Sequence, residues 1–303
     1  MSRPSQALLP MFALLSPLSA LAAPDVVGAD SLAMGSTSLA AHDSNAAITT
    51  NPGLLALEDR YDFSAQLGIG PGLHWAATGM DGRTAENFAL GFSYSGDRYE
   101  PELTIDELPG WTTPNQEIPN MKRNHDFALA ASLSTLDDTL AFGVGGHLSL
   151  YDNDRTGSGT TGNVDVGMGY QPTEFLTLGL SGQNLVPLDV LGDRPTQVGA
   201  GIRLHGTPAA LEIDGGWIDG VTDGTPVFVD AGAEAKPGAG RLRAGGRWDG
   251  QTGIPSVTAG VGVESDGGAI EYGIDIPLGP DGGPIAHVVG VRFGAPAPID
   301  IPQ

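Results

Sequence analysis

The sequence predicts an all-β protein: a closed antiparallel transmembrane β-barrel of about 14 strands with an N-terminal plug in its lumen. Three observations carry this expectation. Apolar residues recur at every second position, the positions between them are mostly glycine with scattered charges, and short and long connections alternate along the chain. Period two is the strand signal.

Composition removes several classes. The 303 residues hold 36 Asp and Glu against 14 Lys and Arg, a net charge of -22, so nucleic acid is not a partner. With Cys 0 there are no disulfides, thiolate metal sites or cysteine nucleophiles. No apolar run of about 20 residues follows the N-terminus, which excludes a helical membrane protein.

Residues 1–22 read as a signal peptide, with Arg3 as the positive n-region, an apolar stretch from Ala7 to Leu21, and Ala20-Leu21-Ala22 as the cleavage site. Export places the mature chain in the periplasm, in the outer membrane of a Gram-negative cell, or outside. Residues 23–60 do not alternate. Ser44 to Thr50 fits a helical turn or two, and Asn51-Pro52 reads as an N-cap with proline at the first position of a second short helix through Leu57. This hatch segment suits the lumen of a barrel too wide for its own side chains to fill.

From residue 61 to 293 fourteen segments alternate, among them Phe127-Leu129-Ala131-Leu133, Leu140-Phe142-Val144 and Val257-Ala259-Val261-Val263. Residues 61–80 fit either two strands or one kinked strand. A sandwich would turn Lys, Glu and Thr to water on the non-core face, whereas here that face is glycine with charges, as expected of a lumen. Only closure satisfies every backbone hydrogen bond in hydrocarbon. Connections after even strands, such as Asp81-Gly82 and Asp266-Gly267, are short, and those after odd strands are long, such as 96–124 and 184–195, or moderate, such as 219–225, with the short Pro71-Gly72 as the exception. Bacterial barrels place the short turns in the periplasm. On this assignment Val144→Arg on the lipid face impairs assembly far more than Gly143→Ser on the other. Residues 294–303 are expected to be a Pro-rich periplasmic tail.

The stretch Gly28-Ala29-Asp30-Ser31-Leu32-Ala33-Met34-Gly35, followed by Ala40-Ala41-His42-Asp43-Ser44-Asn45-Ala46 and Asn51-Pro52-Gly53-Leu54, resembles the N-terminal hatch signature of the FadL/TodX-type hydrophobic-compound transporters. It is also similar to that of the PorV/PorQ-like barrels of secretion. The resemblance implies a 14-stranded outer-membrane barrel with Asn51, Pro52, Gly53 and Leu54 in a lumenal hatch, and passage of long-chain fatty acids or aromatic hydrocarbons. The family usually has N-P-A where this chain has Asn51-Pro52-Gly53, and the outer connections are compact.

Other constellations are sparse. Asp152-Asn153-Asp154 opens like a calcium loop but has Asn163 at its twelfth position rather than glutamate. The six histidines form no metal-binding spacing. His147 and Ser149 share a strand face without an assigned third group, and no Gly-x-Gly triplet opens a helix. No cofactor, metal site or catalytic residue is expected, and the protein is not expected to be an enzyme. The inward charges Asp230, Glu234, Arg241, Arg243, Arg247, Glu264, Glu271 and Asp275 lie on neighbouring strands. They fit a structural ladder, a selectivity lining for a polar solute, or a dock for the hatch. The functional expectation is an outer-membrane channel for hydrophobic small molecules such as long-chain fatty acids, with membrane lipid and the hydrophobic solute as partners. The alternative is an accessory barrel that docks secreted proteins or secretion machinery, or a structural outer-membrane protein.

Overall fold

The computed structural model describes residues 28–70, 72–85, 87–99, 122–153, 157–186, 195–219, 225–250, 253–265, 267–279 and 284–295. The signal segment 1–22, the acidic connection 100–121 and residues 296–303 lie outside the described residues, as does Asp154 of the calcium-like stretch.

Fourteen strands close into a barrel in which each pairs with its chain neighbours and the first pairs with the last. They are β1 Tyr61–Ile69, β2 Gly72–Ala85, β3 Phe88–Tyr99, β4 Lys122–Thr135, β5 Leu140–Asn153, β6 Gly157–Thr173 and β7 Leu176–Gln183. The second half comprises β8 Gln197–His205, β9 Ala209–Ile218, β10 Val227–Ala235, β11 Gly240–Asp249, β12 Pro255–Ser265, β13 Gly268–Pro277 and β14 Ala286–Ala295. Residues 61–80 are two strands, since β1 and β2 pair in register from Tyr61↔Asp81 to Ile69↔Leu73. The Gly70 N–H donates to the Gly72 carbonyl at 3.0 Å and so tightens the turn between them. The seam runs from Tyr61↔Ala295 to Ile69↔His287, so β14 reaches two residues past the apolar run ending at Phe293. The expected tail boundary at 294 is therefore corrected: Gly294 and Ala295 are wall.

Period two sorts the side chains. Leu129, Leu133, Val144, Val263 and Ile270 are exposed on the outer surface, while Ala130, Ser132, Asp165, Glu212 and Asp275 are buried on the inner one. An outer belt of Leu, Val, Ile and Phe around a closed backbone ladder is what hydrocarbon requires. Trp75, Tyr94, His125 and Phe127 cluster on this surface toward the long-connection end, with Tyr94 and Phe127 ring centroids 5.0 Å apart. Aromatic side chains there match the interfacial girdle of outer-membrane barrels.

Three short helical pieces of residues 28–60 fill the lumen: α1 Ala29–Ala33, α2 Ala47–Thr50 and a 3₁₀ segment Pro52–Leu57. The sequence pattern pointed to the second and third; α1 is an addition, too short for periodicity to reveal. Ile48, Leu54 and Leu55 are fully buried against Met80, Ala89, Ala128 and Ala130 of β2 to β4. Ala29 and Leu32 pack on Val288 of β14. Burial of each large aliphatic side chain contributes about 1.5–3 kcal/mol, which offsets the entropy of seating a segment with little regular structure.

Candidate functional site: the hatch and its lumenal seat

The inward glycines have a specific cause. A Cβ at Gly179 on β7 would lie 1.7 Å from the Leu39 carbonyl oxygen, and one at Gly143 on β5 2.3 Å from the Pro52 carbonyl carbon. At Gly232 on β10 and Gly245 on β11 it would lie 2.2 Å and 2.4 Å from the Met34 backbone. The hatch main chain rests directly on the wall, and glycine is what permits that approach. This corrects the expectation for Gly143→Ser: the side chain would meet hatch backbone, so the substitution is not a benign control.

Some polar side chains of the hatch signature bond within the hatch, as Ser31 does to the Thr37 carbonyl and Ser44 to Asp30, and others find wall partners. The Asn51 side chain, fully buried, accepts from the Gly53 N–H at 3.2 Å and caps the 3₁₀ segment. Its amide nitrogen also donates to the Leu39 carbonyl at 2.7 Å and to the Met168 carbonyl of β6 at 3.2 Å. Pro52 occupies the first position of that segment, Gly53 donates to the cap, and Leu54 is in the apolar cluster. Asn45 donates to Asp62 of β1 and, at 3.0 Å, to Thr78 of β2.

On the opposite side the seat is ionic. Asp214 of β9 accepts from the N–H groups of Ser38 and Leu39 at 2.7 and 2.9 Å, and Glu212 accepts from the Ala40 N–H at 3.0 Å. Arg203 of β8 reaches Glu212 and hatch Asp43, each at 2.8 Å. The Asp43 carbonyl in turn accepts from Arg60 and, at 3.3 Å, from Arg292. Burial by itself pushes the Asp43 carboxyl up, but the Arg203 guanidinium overrides it and holds the group well below the usual carboxylate range. Asp43 therefore stays ionised under any physiological condition. Charge-assisted hydrogen bonds of this kind are about twice as strong as neutral ones.

The eight inward charges singled out in the sequence fall on β10 to β13. Arg243 bridges Glu234 at 2.7 Å and Glu271 at 2.8 Å, Arg247 reaches Asp275 at 3.1 Å, and Arg241 pairs with Glu264. Glu264 also receives Arg292 at 3.1 Å, which extends the chain of pairs to β14. Asp230 lies opposite Arg247 in register. Arg203, Glu212, Asp214 and Arg292 were not singled out in the sequence, and their hatch partners had no signal in the local pattern. A polar cavity of about 320 Å³ opens at the short-turn end, lined by Asp43, Glu58, Arg60, Arg203, Arg243 and Arg292 among others.

On the other flank a hollow of about 780 Å³ lies over β1 to β6, bordered by Phe63, Leu90, Phe92, Leu129 and Val144. Its floor is small: Gly79, Gly91, Ala130, Ala131, Gly145 and Gly146. Directly behind that floor, a Cβ at Gly91 would stand 2.7 Å from Ile48 and 3.3 Å from Leu55 of the hatch. Apolar surface outside and the apolar hatch cluster inside are thus separated by one thin stretch of wall. The ladder of charge pairs on β10 to β14 lies elsewhere on the wall, while Asp62, which pairs with Arg60 at 3.4 Å, borders this hollow.

His147 and Ser149 do not assemble a hydrolytic site. Ser149 donates to Asp126, while His147 contacts Asp165. No group of three or more His, Cys, Asp or Glu suited to a metal occurs among the described residues.

His42 of the hatch packs against His205 with ring centroids 4.7 Å apart and shares a hydrogen bond of 3.2 Å with Thr177. Burial lowers its pKa below the ordinary 6.5, Asp43 opposes that shift, and Arg203 and Arg60 reinforce it. A histidine neutral when seated but protonated when released draws the equilibrium toward release as pH falls below about 6.5. Hydrogen exchange of residues 38–57 should accelerate between pH 7 and 5, and His42→Gln should remove most of that dependence. Exchange equally protected at both pH values would contradict the assignment.

Fold and site together define a plugged 14-stranded transmembrane barrel. No family model matches the chain, and neither does any curated protein. Among solved structures it is similar to the Pseudomonas putida toluene transporter TodX, at 13% identity and a TM-score of 0.63, covering 89% of this chain and 98% of that one. The Ralstonia pickettii toluene transporter TbuX gives 15% identity and a TM-score of 0.61 over 88% and 97% of the two chains. A Pseudomonas aeruginosa FadL homologue gives 11% and 0.57 over 83% and 93%. The barrel and its hatch have the fold of the FadL/TodX-type channels, as the resemblance of the N-terminal motif implies.

Proposed function

We propose that the protein is an outer-membrane channel through which hydrophobic small molecules pass, with the hatch as the closure of the lumen. The observation that carries this is the adjacency of two apolar regions across a thin wall: the hollow bordered by Leu90, Phe92 and Leu129, and the buried hatch cluster of Ile48, Leu54 and Leu55. A hydrophobic solute finds low-energy surface on both sides there, while the opposite flank is ionic. The solved channels of this fold, described as toluene transporters and monoaromatic hydrocarbon channels, support the same reading. Exterior apolarity and the short-turn arrangement favour the outer membrane with the hatch toward the periplasm.

The test is uptake of N-phenyl-1-naphthylamine, a neutral aromatic probe, by vesicles with a lipopolysaccharide outer leaflet. Wild-type protein should accelerate entry over protein-free vesicles. Asn51→Ala removes the cap, worth about 1 kcal/mol, together with the bonds to Leu39 and Met168. The hatch should then be looser and probe entry several-fold faster at an equal amount of folded barrel. No entry above protein-free vesicles would shift the reading to a barrel that docks secreted proteins.

A further inference from the structure

The hollow over β1 to β6 follows the ladder between strands rather than the strands themselves. In register Phe63 faces Gly79, Gly79 faces Phe92, Phe92 faces Leu129, Leu129 faces Gly146 and Gly146 faces Val164, so one continuous row of its lining crosses six strands. Neighbouring strands lie about 4.8 Å apart, which makes the row about 24 Å long. Barrel strands tilt by about 40°, so a row perpendicular to them climbs about 15 Å along the membrane normal, half of a hydrocarbon core of about 30 Å. The strand ends fix the direction of the climb. Phe63 is the third residue of β1, which starts at the short-turn end, whereas Val164 stands nine residues before Thr173, where β6 reaches that end. The hollow therefore begins near the interface on the short-turn side and stops near the bilayer midplane.

The lining selects the occupant. Gly146 is the open part of the floor, since a Cβ there would find nothing nearer than the Asn163 carbonyl oxygen at 3.9 Å, and Leu129 and Val144 stand exposed beside it. Hydrocarbon supplies no water to such a space, and an apolar lining without partner atoms forfeits its dispersion contacts. A second copy of the barrel does not fill it, because a convex wall laid across a hollow touches only the rim. Among the described residues no Lys or Arg lines the hollow, and both of its carboxylates are engaged: Asp62 with Arg60 at 3.4 Å, and Asp81 with the Thr84 N–H at 3.0 Å. A phosphate head group finds no cation there, so an apolar chain alone carries the affinity.

We propose that the hollow is a binding site for one acyl chain of a phospholipid from the leaflet on the short-turn side, with the ester end of the chain at Phe63, its methyl end at Val164, and no preference among head groups. Seated there, the chain covers the outer face of the wall that Ile48 and Leu55 of the hatch back from within. The site depends on the membrane position of the barrel and not on the passage of a solute.

The test uses phosphatidylcholine carrying a photoactivatable diazirine either at the terminal carbon of one chain or beside its ester, in vesicles holding the full mature chain, with cross-links mapped by mass spectrometry. The terminal label should mark Leu129 and Val164 about threefold more than Val257 and Val261, which are 43% and 52% exposed on the outer face of β12; threefold corresponds to a seating free energy of about 0.7 kcal/mol. The ester-side label should shift to Phe63, and unlabelled phosphatidylethanolamine and phosphatidylglycerol should compete equally. Gly146→Phe fills the open floor and should bring labelling of the hollow down to the β12 level, while Val261→Phe should leave it unchanged. Both variants keep the outer surface apolar, and heat-modifiable migration reports whether the barrel has formed. Wild-type labelling as dense on β12 as in the hollow overturns the site, whether or not the variants fold. A reversed order of the two labels overturns the assigned leaflet, and cross-links joining two protein copies through these residues give the hollow to a dimer instead.

Discussion

Val144→Arg should nearly abolish the folded barrel, read as loss of the fast-migrating unheated band on a denaturing gel. Val144 sits mid-strand on β5, between Ala131 and Val166 in register, and is 52% exposed on the outer belt. An arginine at the bilayer midplane costs about 2–4 kcal/mol, and mid-strand it cannot easily extend its head to the interface. Val144→Leu keeps the outer surface apolar and should assemble normally. Equal yields of the two variants would mean that this surface does not face hydrocarbon, and the barrel would have to be turned inside out.

Gly179→Val should evict the hatch while sparing the wall. The added Cβ would fall 1.7 Å from the Leu39 carbonyl oxygen, and both partners are backbone. Neither can rotate away: β7 is laddered to β6 and β8, and Leu39 is held by Asp214. Overpacking costs of about 1–3 kcal/mol apply where side chains can adjust, and here none can, so relief comes by moving residues 38–40 out of their seat. Proteolysis within the hatch should rise at least tenfold, with heat-modifiable migration retained. Gly146→Ala is the matched control, since its nearest neighbour would be the Asn163 carbonyl oxygen at 3.9 Å. A hatch as protected in Gly179→Val as in the wild type would mean that it does not lie on this wall.

Much of this was legible before the structure because a barrel writes its geometry locally. Period two sorts Val144 from Gly143 without knowledge of any neighbour, whereas Asp81-Gly82, read from the sequence as a turn, lies inside β2, which runs on past an irregularity in register to Ala85. The strand ends were less legible: β6 runs from Gly157 to Thr173, beyond the apolar alternation, because a ladder needs paired backbone rather than apolar side chains. The seat of the hatch was the least legible part. Ser38, Leu39 and Ala40 offer backbone N–H groups to carboxylates more than 170 positions away, and no local pattern encodes such pairs. Glycine gave the nearest signal. Gly143, Gly179 and Gly232 read as inward and small, and their smallness is explained only once the hatch backbone is found against them.

A hatch that blocks water and ions while hydrophobic molecules pass is tested most directly by reading ion leak and N-phenyl-1-naphthylamine uptake in the same vesicles. Wild-type protein should accelerate probe entry without dissipating a salt gradient, and Gly179→Val should dissipate it quickly. A wild type that leaks ions as fast as Gly179→Val, or that leaves probe entry at the protein-free rate, would contradict a closed hatch within a hydrophobic passage.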